Sequence, residues 1–185
     1  MNKIKEFFSE YGKIISKILI NHIAMTVFGI IVLISTSKSR VLFHASGALA
    51  ILMYMFLLYM IMWELGAQNK VRVEAGRIKK DRWLGLKISL VANSLFILVS
   101  LVEMILWFFV TPDAVTGVNN ACGVLKIIMN YVYGMYLSIS SLAPNFGAMH
   151  LLLAIPAILC CTLSYLAGLS GMKCIFPDKK ENKKK

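Results

Sequence analysis

Four apolar stretches, residues 18–36, 41–63, 88–110 and 149–170, are each long enough to cross a lipid bilayer, and Glu103 is the only Asp, Glu, Lys or Arg within them. A hydrocarbon core about 30 Å thick takes about 20 residues of helix at about 1.5 Å per residue. Inside lipid the backbone has no water to bond, so a spanning segment is a helix or part of a closed barrel. These runs are continuous and lack the alternation of barrel strands. The expected fold is therefore all-α and integral to the membrane: a four-transmembrane-helix bundle.

Composition agrees. The chain of 185 residues is 58% hydrophobic and only 16% charged, with a mean hydropathy of +0.72. A soluble domain carries about 25% charged residues, so this chain lacks the polar surface to cover itself in water.

The net charge of +11 is distributed as in a membrane protein, which argues against a nucleic-acid partner. Lys3, Lys5, Lys13 and Lys17 precede the first stretch. Lys70, Arg72, Arg77, Lys79, Lys80, Arg82 and Lys87 lie between the second and third, and Lys173, Lys179, Lys180, Lys183, Lys184 and Lys185 follow the fourth. Only Lys38, Arg40 and Lys126 of the 20 basic residues fall on the other side. The positive-inside rule then places both termini and the middle connector in the cytoplasm of a multi-pass cell-membrane protein. Four crossings agree with two termini on one side.

Three regions follow: a cytoplasmic arm at 1–17, a transmembrane domain at 18–172 and a Lys-rich tail at 173–185. In the arm, Ile4, Phe7, Phe8, Tyr11, Ile14 and Ile15 recur at helical spacing. This predicts an amphipathic helix lying on the inner leaflet before the chain turns into the membrane. Small residues at 35–37 resemble a signal-peptide cleavage site, but the preceding apolar run exceeds the usual 7–15 residues. The connector at 64–87 reads as a solvated loop, with Arg77, Lys79, Lys80 and Arg82 as candidate contacts to anionic inner-leaflet headgroups. Glu64 at its start should meet one of the connector's cations.

Residues 111–150 carry mixed signals. Pro112 should stop the third helix. Residues 123–143 are again apolar, but a fifth span would carry the Lys-rich tail outside. Lys126, Asn130, Gly134, Ser138 and Ser141 form one polar stripe. An interfacial or re-entrant helix on the outer end is expected, with its tyrosines at headgroup level. In the last helix Ala157, Cys161, Ser164, Gly168 and Gly171 make a small-residue face for close helix contact, and Ser46, Gly47 and Ala50 offer a similar face on the second.

Polar groups inside the spans are the candidate sites. Glu103 lies about seven residues in from the outer end of the third stretch. A central carboxyl costs about 2.5–3.5 kcal/mol, so it should face the bundle, either protonated or paired. His44 and His150 fall at comparable depth on other helices, and the three together make a candidate intramembrane polar site: a proton relay, a pH sensor, a metal site or a structural hydrogen bond. Asn21, His22 and Asn93 are candidate inner contacts between helices. The four cysteines show no metal or redox spacing. No phosphate loop, zinc-protease helix, nucleophile elbow or dinucleotide turn is present, so no cofactor is expected. The sequence points to a non-enzymatic subunit, regulator or immunity-type component, working with a membrane-protein partner or a second copy. The alternative is a small transporter or channel subunit lined by Glu103, His44 and His150.

Overall fold

The computed structural model describes residues 2–110, 117–142 and 148–172; the Pro112 stop, Cys174 and the Lys-rich tail lie outside them. Every regular element among the described residues is helical: α1 (Asn2–Thr36), α2 (Arg40–Glu74), α3 (Leu84–Trp107), α4 (Gly117–Val132), a 3-10 turn (Gly134–Tyr136), α5 (Leu137–Ser140) and α6 (Met149–Ser170). Helices α1, α2, α3 and α6 are long and apolar enough to span a membrane, and the protein is a helical membrane bundle. They alternate in direction. One end carries the start of α1 and the α2–α3 connector, and the other carries the α1–α2 hairpin at residues 37–39.

The long helices extend past the apolar runs. At 35 residues each, α1 and α2 measure about 52 Å, well beyond a bilayer core. The amphipathic arm does not turn onto a surface but continues α1 without a break. Its Phe7 and Tyr11 pack on the core, and Glu10 pairs with Arg72 of α2 at 3.6 Å. The expected connector is mostly helix as well, because α2 runs on through Glu64, Gln68 and Lys70. Glu64 accepts a hydrogen bond from Gln68, one turn on, at 3.2 Å instead of meeting a connector cation. A left-handed Gly76 (φ 68) ends α2, with Arg77 N–H bonding the Arg72 carbonyl and Gly76 N–H the Val73 carbonyl. Gly171 (φ 79) closes α6 through the same pair of bonds. Both are Schellman caps, which need a residue at positive φ.

Helix α6 packs deepest against α2 and α3. Its small-residue face is the contact: Ala157, Cys161, Ser164 and Gly168 are all buried. Gly168 and Gly66 cross so closely that a Cβ on Gly168 would overlap the Trp63 carbonyl. The other small-residue face serves a different neighbour, since Gly47 abuts Ser138 of α5.

Residues 117–142 are sharply bent, as a broken span or a re-entrant hairpin would be, and the course of the second arm along α1 is that of a re-entrant hairpin. Helix α4 enters beside α3, and the segment beyond Tyr133 leaves at 90° to it. That segment lies against α1, with Met135 on Gly29 and Gly134 on Ile30. It ends at Ser141 and Leu142, which share a cleft with Ser37, Lys38 and Arg40 of the α1–α2 hairpin. Its far end therefore lies at the hairpin end. The tyrosines are not at headgroup level: Tyr133 and Tyr136 are buried, and only Tyr131, at 65% exposure, faces outward.

Candidate functional site

The centre of the bundle holds a chain of buried polar groups, and the re-entrant hairpin is built around it. Helix α3 places Glu103 and helix α6 places His150 face to face, with Oε2 2.7 Å from Nδ1 and both side chains 5% exposed. The other ring nitrogen, Nε2, lies 3.2 Å from Oδ1 of Asn130 on α4. An imidazole Nε2–H donating to that oxygen leaves Nδ1 to complete the bond with the carboxyl. One proton serves the contact, as a neutral acid against imidazole or as carboxylate against imidazolium. Either way the carboxyl has a buried partner, which offsets the cost of a lone intramembrane carboxylate.

His44 does not join this pair. It lies half-buried on α2 near the hairpin end, in a cleft of about 460 Å³ with Lys38, Arg40, Phe43 and Ser141. The expected triad of Glu103, His44 and His150 is thus a pair completed by Asn130. His44 sits on the part of α2 that borders the hairpin cleft, away from Glu103 and His150. Among the described residues no three His, Cys, Asp or Glu side chains converge as a metal would need.

Deeper in, His22 of α1 is a true interhelical contact. Its Nε2–H donates to the Val132 carbonyl at 3.1 Å, and its Nδ1 accepts from the Tyr54 hydroxyl at 3.0 Å. The ring stacks on Phe96 of α3, with centroids 4.6 Å apart. Thr26, one helical turn on, donates to the same carbonyl at 2.8 Å. Val132 ends α4, where the last carbonyls have no partner within the helix. Two side chains of α1 therefore cap a helix end inside the apolar core. Tyr133 follows, with its ring 5.7 Å from both His22 and His150, so aromatic contacts join the two polar centres.

The other inner candidates are quieter. Asn93 is buried, but its amide nitrogen bonds back to Ser89 on its own helix at 2.8 Å. The Asn21 amide nitrogen is buried without a partner among the described residues. Tyr54 and Thr26 escaped the sequence reading, and Asn130 and Tyr133 were read only as parts of the outer helix. The signals for two were present: Thr26 is four residues from His22 on one helix face, and Asn130 belongs to the polar stripe of α4.

At the connector end, Arg77, Lys79, Lys80 and Arg82 are all exposed, and none forms an ion pair with another described residue. Asp81 between them accepts from Lys87 at 2.7 Å, and this bond holds its carboxyl below the usual range. The Tyr165 hydroxyl of α6 donates to the Asp81 carbonyl at 3.1 Å, tying the connector to the bundle. Comparison of the chain with family models, with curated proteins and with solved structures gives no match.

Proposed function

We propose that this chain is a non-enzymatic component of the cell membrane, acting as a subunit, regulator or immunity-type protein through its helix faces and its basic connector. Both termini and the connector lie in the cytoplasm in this reading, and the partner is another membrane protein or a second copy. The observation that carries it is the use made of the buried polar groups. His22 and Thr26 are spent on the Val132 carbonyl, and Glu103 and Asn130 on His150. These contacts lock the re-entrant hairpin between α1, α3 and α6. A polar group consumed in holding helices together is not available to line a path.

A transporter or channel subunit is the second reading. The aromatic contacts joining Glu103–His150 to His22–Tyr54 favour it, because they extend the polar chain inward. The two readings separate in proteoliposomes loaded with a pH-sensitive dye under an imposed pH gradient. A component of the first kind gives no protein-dependent flux, and Glu103→Gln behaves as wild type across pH 5–8, the range of histidine titration. Flux that Glu103→Gln abolishes in a folded protein would replace the first reading with the second.

A further inference from the structure

At the connector end a cleft of about 560 Å³ opens between the connector and the outward face of α6. Lys80 and Arg82 form its rim, and Leu163, Leu166, Leu169 and Met172 line its wall. We infer that this cleft is a binding site for one anionic phospholipid, with the phosphate between Lys80 and Arg82 and the first acyl methylenes along α6. The inference rests on the membrane and inside-positive reading above and narrows it from a diffuse basic loop to one site.

Three observations support that occupant. First, the wall is apolar, and Leu163 and Met172 are 63% and 64% exposed; leucines on the outer face of a spanning helix meet acyl chains. The cations stand at the level where that helix ends, as they must to reach a headgroup. Second, no acid among the described residues pairs with these cations. Glu74, in the adjoining cleft with Lys80, is engaged with Lys70 at 3.7 Å, and Asp81 is held by Lys87. Third, the end of α6 does not repel an anion as a bare helix C-terminus would. The Ala167 and Gly168 carbonyls are bonded by Met172 and Gly171, and the Lys70 ammonium lies against Gly171.

The four connector cations are not equivalent on this geometry. Lys79 lines a separate cleft on the other side, among Glu10, Asp81 and Tyr165, and Arg77 borders neither. A site-specific lipid depends on Lys80 and Arg82; a diffuse headgroup attraction depends on all four alike.

The test is native mass spectrometry of the full chain, released from mild detergent and titrated with phosphatidylglycerol or phosphatidylcholine. Lys80→Gln with Arg82→Gln is compared with Arg77→Gln with Lys79→Gln, which removes the same charge. The first pair is expected to weaken the tightest phosphatidylglycerol by about thirtyfold, from the usual strength of two basic contacts to an anionic surface. The second pair is expected to change it less than about threefold. Millimolar inorganic phosphate should not displace the lipid. Equal losses from both pairs, or no loss from either, would overturn the site while leaving the membrane reading intact. Displacement by phosphate would make it a free-anion site instead. A wild-type chain retaining neither lipid would overturn the site.

Discussion

His22 Nε2 and the carbonyl of Val132 stand 3.1 Å apart across 110 residues of sequence, and this contact sets the depth to which the re-entrant hairpin enters the bundle. The carbonyl is an unsatisfied helix end in an apolar core, where leaving it bare costs several kcal/mol. Thr26 supplies a second donor at 2.8 Å.

The two donors should therefore show non-additive losses. His22→Phe keeps the stack on Phe96 but strips one donor from Val132 and the partner of Tyr54, for an expected loss of about 1–3 kcal/mol. Thr26→Val alone should cost less, because His22 still serves the carbonyl. The double variant leaves the carbonyl bare and should lose more than the sum of the singles. Thermal unfolding in detergent measures all three; simple additivity would mean that the carbonyl finds another donor.

Glu103 and His150 give a second test. Glu103→Gln retains an amide that can donate to Nδ1, so the variant should fold with a loss under about 1.5 kcal/mol. Glu103→Leu leaves a buried imidazole nitrogen without its partner and should cost more, up to about 3 kcal/mol, the usual penalty for an unsatisfied buried polar group. If Leu and Gln melt alike, the pair holds nothing in place.

The membrane class was legible because the hydrophobic requirement of a span acts on every residue of a run. Helix ends were less legible. Gln68, Asn69 and Lys70 look like loop, yet they are good enough helix formers to extend α2 once the arm of α1 lies beside them. The Glu103–His150 pair was visible as two polar groups at one depth, but sequence carries no record of azimuth between helices, so His44 was grouped with them. The capping of Val132 could not be read at all: a carbonyl has no side-chain signature, and its partners lie 106 and 110 residues away.

Close approach at the α2–α6 crossing predicts opposite signs for two glycine substitutions. Gly168→Ala puts a methyl group into the Trp63 carbonyl and the Ala67 backbone. Overpacking of this kind costs about 1–3 kcal/mol. Gly12→Ala on the arm of α1 meets nothing within 4 Å and should stabilise the helix by about 0.5–1 kcal/mol. Melting temperatures of the two variants should fall on opposite sides of wild type.

Asp81 carries the connector's acid sensitivity. Lys87 holds its carboxyl below the ordinary value of 3.8, so the folded state binds a proton less readily than the unfolded chain. The stabilisation is complete above that ordinary value and is lost as pH falls through the lower, folded value. Both side chains are more than one-third exposed, which limits the effect to about 1 kcal/mol or less. The melting temperatures of wild type and Asp81→Asn should differ at pH 7 and converge below about pH 4. A gap that persists in acid would trace to something other than the ion pair.

Threading is decided by where four positions face. In a chain freed of its own cysteines, single cysteines replace Arg77, Gly117, Leu142 and Lys183. Arg77 is preferred to Gly76, whose φ of 68° a cysteine would strain. Leu142 lies at the end of the bundle that carries the α1–α2 hairpin; in the proposed re-entrant and inside-positive reading residue 117 lies at that end too, and that end faces outside. A membrane-impermeant thiol reagent applied to intact cells should therefore label 117 and 142 and spare 77 and 183. Were residues 117–142 a fifth span bent at Tyr133, 142 would be protected while 117 reacted, and the label would reach only one arm of the hairpin. Protection of both 117 and 142, with labelling at 77, would invert the orientation without disturbing the fold. The contact that separates the first two outcomes is already specific: Leu142 shares its cleft with Ser37, Lys38 and Arg40, residues that join the first two spans.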